Sequence, residues 1–129
     1  MRRHIVVDMS EPVEGEDFFA DDETARAIYR AFARPLVRLE GVEVRVSKSQ
    51  VAFRARRGFA YAWAPKQYLA SDVPVVVSIA LPHRVDSERF KEVAHPAAST
   101  WMHHVELRLV EDVDRELIGW AKQAWEHAR

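Results

Sequence analysis

Residues 42–63, VEVRVSKSQVAFRARRGFAYAW, carry the pattern that decides the fold. Val42, Val44 and Val46 alternate with Glu43 and Arg45, the period-2 signature of a half-buried strand. After the polar break Ser47-Lys48-Ser49, Val51 and Phe53 alternate with Ala52 and Arg54. Arg56-Arg57-Gly58 reads as a turn, and Phe59, Tyr61 and Trp63 then alternate with Ala60 and Ala62. Three short strands joined by tight turns make a β-meander with one large apolar face to cover.

The flanking segments supply the cover. Upstream, Ala25, Ile28, Tyr29, Phe32, Leu36 and Leu39 follow the i, i+3, i+4, i+7 spacing of an amphipathic helix over residues 22–39. Asp21 or Asp22 can cap it, Pro35 predicts a kink or break, and Gly41 is a natural stop. Downstream, Val75 to Leu81 is a nearly continuous apolar run, as in a strand buried on both faces. Val85 to Phe90 reads as one helical turn capped by Asp86 or Ser87. Lys91 to His95 reads as a short strand closed by Pro96. Trp101 to Leu109 alternates clearly, and Glu111 and Asp112 open a last helix over 112–126, with acidic residues at its start and basic ones at its end. The expectation is an α+β domain: about five mainly antiparallel strands, with an N-terminal and a C-terminal helix packed on one face. Residues 1–16 read as an arm, loosely ordered or with one edge strand over His4–Asp8. Residues 17–129 read as the single domain, with Phe18 and Phe19 anchoring the arm.

Composition bounds the function. The chain has 129 residues, 48% hydrophobic and 30% charged, with a net charge of -1. That suits one globular domain and gives no global attraction to nucleic acid or membrane. With no cysteine, thiolate metal sites, disulfides and thiol nucleophiles are excluded; no structural zinc and no cofactor are expected. No apolar run is long enough to span a bilayer. The start lacks the long apolar region of a signal peptide, so a cytoplasmic location without membrane attachment is the expectation. With four glycines and no HExxH or GxSxG, no standard catalytic or phosphate-loop motif is present.

Three groups of residues have chemical potential. Arg54, Arg56 and Arg57, with Lys48 at the preceding turn, form a possible anion patch for phosphate or a nucleic-acid backbone. The plainer reading, charged turns that keep the protein soluble and protect sheet edges, is preferred. Phe59, Tyr61 and Trp63 offer a stacking platform, but period-2 aromatics under two helices read first as core. Among His83, His95, His103 and His104, the adjacent pair on one strand must face opposite sides. His103 shares its face with Val105 and Leu107 and should point inward to a hydrogen-bond partner, either the Ser87–Arg89 turn or the His95 loop. His104 shares its face with Glu106 and Arg108 and should be solvated, so its replacement should matter little.

The sequence also resembles a family of small bacterial domains known as domain of unknown function 5655. The resemblance lies in Asp17-Phe18-Phe19, Val44 to Phe53 with Lys48, Phe59-Ala60, Val85-Asp86-Ser87-Glu88-Arg89-Phe90, Glu92-Val93-Ala94-His95, Trp101-Met102-His103-His104 and the final helix. It implies an α+β fold without an assigned activity. It also implies importance for Lys48, Ser87, Arg89, His95 and His103, which fall on matching motif positions. Many relatives carry a cysteine-containing segment resembling a zinc ribbon; without cysteine, that site cannot form here.

Three functions compete. The first is a binding or interaction module for an anionic ligand, a phosphorylated small molecule or nucleic acid, using Lys48, Ser87, Arg89, His95 and His103. The second is an enzyme with His95 or His103 as general acid or base. The third is a structural domain, with homodimerisation through a sheet edge as one route to assembly. Binding ranks above catalysis because no nucleophile–base–orienter set is visible.

Overall fold

The structure is a computed structural model that describes residues 11–67 and 70–129. Helix α1 (Glu23–Val37) is followed by β1 (Glu43–Val46), β2 (Val51–Arg54), β3 (Gly58–Trp63), β4 (Val75–Leu81), β5 (Phe90–Ala97), β6 (Thr100–Leu107) and helix α2 (Arg115–Ala128). The six strands form one antiparallel sheet in the order β1-β2-β3-β4-β6-β5. The count is six and not about five, and the segment read as a short strand over Lys91–His95 is longer than expected, Phe90–Ala97. It runs through Pro96 to Ala97. β5 is an edge strand, where a proline's missing N–H breaks no ladder bond.

α1 and α2 touch each other and pack on the same face, α2 chiefly against β3 and β4. Tyr29 and Phe32 of α1 meet Phe53 of β2 at ring centroid distances of 6.1 and 5.8 Å. Ile79, Leu81, Leu107 and Leu117 complete the buried layer. Small residues on both partners, Ala121 and Ala124 on α2 and Ala60 and Ala62 on β3, allow close approach and are fully buried.

Caps fix both helices. Asp22 accepts the Ala25 N–H at 3.0 Å, and Asp114 accepts the Leu117 N–H at 3.0 Å; each cap contributes about 1 kcal/mol. α1 continues through Pro35 and ends two residues later, so the proline shortens the helix instead of dividing it. α2 begins later than Glu111 and Asp112 suggested. Asp112 turns back instead, accepting the Arg108 and Leu109 N–H groups at 2.8 and 3.0 Å and closing a 3-10 turn over Val110–Asp112.

Before α1, the chain is held tightly. Val13 and Glu16 are buried, and Phe19 packs against Tyr29 with centroids 5.2 Å apart. The Glu16 carboxylate accepts the Val13 N–H at 2.6 Å, Arg26 Nε at 2.7 Å and an Arg30 guanidinium N–H at 2.6 Å. Gly15 adopts φ 94°, and a side chain there would overlap the Tyr29 hydroxyl, which donates to Glu14 O at 2.5 Å. The edge strand expected over His4–Asp8 lies outside the described residues.

A candidate ligand site on the open face of the sheet

The face opposite the helices is where sequence and structure part company. In β3, Phe53 pairs with Ala60 but Arg54 pairs with Gly58. Phe59 is therefore an extra residue in a β-bulge, and alternation resets across it. Phe59, Ala60 and Ala62 all face the core, while Tyr61 and Trp63 turn to the open face, half-buried. The platform orientation, set aside on periodicity alone, is the observed one for these two rings.

Ser78 organises what surrounds Trp63. It interrupts the apolar run of β4 and is only 4% exposed. Its hydroxyl accepts the Trp63 indole N–H at 3.2 Å and lies 2.7 Å from His104 Nδ1. Trp Nε1–H can only donate, so the hydroxyl accepts from the indole and holds His104 Nδ1 on its other side, leaving Nε2 as the ring nitrogen not engaged by Ser78. Ser78 and His104 are direct cross-strand partners, and Trp63 stands diagonally on the other side.

A cavity of about 430 Å³ opens over this relay, within the range of small-molecule sites. Trp63, Val76 and Pro65 give it an apolar wall; His104, Glu92, Glu106, Lys91 and Ser71 supply polar groups. A second bulge contributes. Phe90 pairs with Val105 and Glu92 with His104, leaving Lys91 as the extra residue. Neighbours on a regular strand point to opposite faces, yet here Lys91 and Glu92 both line the cavity.

The residues singled out from the sequence are dispersed. Lys48 is exposed in the β1–β2 hairpin, at the opposite edge of the sheet from β5. Ser87 accepts the Arg89 N–H at 3.2 Å, and Phe90 N–H reaches Ser87 O at 3.3 Å, so this segment is a turn and not helical. Arg89 donates to Asp114 and Glu116 at 2.7 and 3.1 Å and to Asp112 O at 2.7 Å. Partial burial opposes its charge, but these acidic partners outweigh it and raise its pKa further. His95 stacks flat on Trp101 with centroids 3.6 Å apart.

His103 points inward, as its alternation required, and is fully buried. Its partners differ from those expected: Nε2 accepts the Val85 N–H at 3.0 Å, and Nδ1 donates to Trp101 O at 3.0 Å. Burial pushes its pKa below 6.5, against the raising effect of the carbonyls of Ile79 and Trp101. His104 shares its face with Glu106, but it is partly buried and tied to Ser78. In the basic hairpin, Arg56 N–H donates to Ala128 O at 2.8 Å and the Arg57 guanidinium to His127 O at 3.1 Å. Both satisfy the last carbonyls of α2, at the negative end of its dipole.

Among the described residues, no group of three or more His, Asp or Glu side chains could hold a metal ion. Among the described residues, no helix is long and apolar enough to cross a membrane.

Sequence reasoning missed Trp63, Ser78 and His104 as a unit. The available signal was Ser78 itself, a hydroxyl amid Val75, Val76, Val77 and Ile79, which must find a partner if that strand is buried.

Fold and cavity together define a small α+β domain with a ligand-sized recess on the sheet face opposite its helices. The family model for Domain of unknown function (DUF5655) matches residues 15–128, and the chain belongs to that family. No curated protein and no solved structure matches it.

Proposed function

We propose that this domain is a binding module for a small organic ligand seated on the open sheet face against Trp63, Val76 and His104. One observation carries the reading: the buried Ser78 hydroxyl fixes two rings, from opposite neighbouring strands, at the wall of a ligand-sized cavity. Preorganised rings reduce the ordering cost of binding. Catalysis is less well supported. His103 has both ring nitrogens engaged inside the protein, and Ser78 does not line the cavity. Ser78 does lie beside the His104 imidazole, but it is only 4% exposed, so an accessible nucleophile beside a base is missing from the described residues. Titration with indole, followed by NMR of the labelled protein, should give saturable shifts of the Trp63 side-chain N–H and the His104 ring. Ser78→Ala should weaken that binding severalfold while the fold persists. Unsaturable shifts, or shifts scattered away from Trp63, would remove the proposal.

A second reading, an anionic ligand at the basic hairpin, is favoured by a separate cavity of about 340 Å³ between Arg56, Arg57, His127 and Arg129. Against it, the His127 carbonyl of α2 already engages the Arg57 guanidinium. If it holds, a short single-stranded DNA binds at low salt and its affinity falls steeply as salt rises. The double change Arg56→Ala, Arg57→Ala then abolishes binding. Absence of binding by the unmodified protein at low salt retires the nucleic-acid form of this reading.

A further inference from the structure

The rim of the open-face cavity holds groups of both signs. Lys91 brings an ammonium, and His104 brings an imidazole whose Nδ1 is held by Ser78. Glu92, directly across from His104, and Glu106, two residues along the same strand face, bring carboxylates. Lys91, Glu92 and Glu106 line one cavity, yet among the described residues none makes an ion pair or a side-chain hydrogen bond. The cavity rim therefore carries an ammonium, an imidazole and two carboxylates beside the indole of Trp63 and the side chain of Val76.

A ligand with one charge fits such a rim badly. An anion drawn to Lys91 and His104 meets two carboxylates, and a cation drawn to Glu92 and Glu106 meets an ammonium. Complementarity of charge requires both signs on the ligand. The bulge at Lys91 gives the arrangement its geometric basis, since a regular strand could not aim both Lys91 and Glu92 at the cavity.

We infer that the ligand is a zwitterion of the amino-acid class with a planar apolar body, its carboxylate toward Lys91 and His104 and its ammonium toward Glu92 and Glu106. This rests on the binding-module reading above.

Four probes separate the possibilities: indole, tryptamine, indole-3-propionate and L-tryptophan, each titrated calorimetrically and by NMR of the Trp63 indole. L-tryptophan should bind at least about tenfold more tightly than either singly charged analogue, the change that one additional charge-assisted contact brings. Lys91→Met should weaken L-tryptophan and indole-3-propionate but not tryptamine, which loses an opposing charge. Glu106→Gln should weaken L-tryptophan and tryptamine but not indole-3-propionate, which loses an opposing charge. If indole saturates the site and L-tryptophan binds no better, the ligand class is wrong and the site reading survives. Tightest binding by tryptamine or by indole-3-propionate likewise overturns the zwitterion. If no probe shifts the Trp63 indole, the site reading falls with it.

Discussion

Replacing Glu16 with Gln should lower the melting temperature by about 12 °C, from a loss of about 3 kcal/mol at roughly 4 °C per kcal/mol for a domain of this size. The side chain is 5% exposed and accepts from Arg26, Arg30 and the Val13 N–H. Removing its charge leaves two guanidinium groups beside a neutral amide and loosens the chain before α1. Burial alone would raise the Glu16 pKa; the hydrogen bonds from Arg30, Val13 and Arg26 outweigh it and bring the value from 4.5 down to about 2. A carboxylate with a depressed folded pKa contributes stability above its unfolded value and loses it as pH falls toward the folded one. The difference between the natural protein and Glu16→Gln should therefore be full at pH 5 and shrink steadily toward pH 2. Thermal melts across that range check it. A melting change of only a degree or two, or a gap that stays constant down to pH 2, would refute the assignment.

His103→Ala should cost about 2–3 kcal/mol, or about 10 °C. It opens a hole beside Phe90, whose ring lies 4.6 Å from the imidazole, and leaves the Val85 N–H without its acceptor. Acid acts through the same bond. Burial disfavours the imidazolium and holds the pKa below 6.5, and protonating Nε2 would set its N–H against that of Val85. The stability His103 gives is complete above that unfolded value and declines as pH falls toward the lower folded one. His103→Ala should lack this decline. His104→Ala, whose ring is only partly buried, should lose about 1 kcal/mol and instead impair ligand binding. Equal melting temperatures for the two variants would show that the Val85 and Trp101 bonds carry little stability.

The meander, both helices and the inward turn of His103 were legible because each follows from periodicity within a few residues. What escaped depends on single insertions or on distant partners. A bulge at Phe59 cannot be seen in FAYAW, where each alternate residue is aromatic, yet it decides which face receives Trp63. Asp86-Ser87 has the composition of a helix cap, but Ser87 bonds two residues ahead and so builds a turn. The role of Arg89 is set by Asp114 and Glu116 in α2, which no local pattern joins to it. Arg56 and Arg57 read as a surface patch because the carbonyls they meet lie at the far end of the chain. The candidate site draws on β3, β4, β5 and β6, so it exists only after their register is known.

That register has a consequence for the entropy of folding. Among the described residues, every hydrogen-bonded pair of strands is consecutive in the chain except β4 with β6, which enclose residues 82–99. Short loops close cheaply, and closure cost rises with the length enclosed. The β4–β6 seam is thus the least local step in building the sheet, the union of a four-strand meander with a two-strand hairpin. Ser78 meets His104 and Ile79 meets His103 across it, one histidine on each face. The two adjacent histidines fasten the same joint from opposite sides, one facing the core and the other facing whatever the open cavity holds.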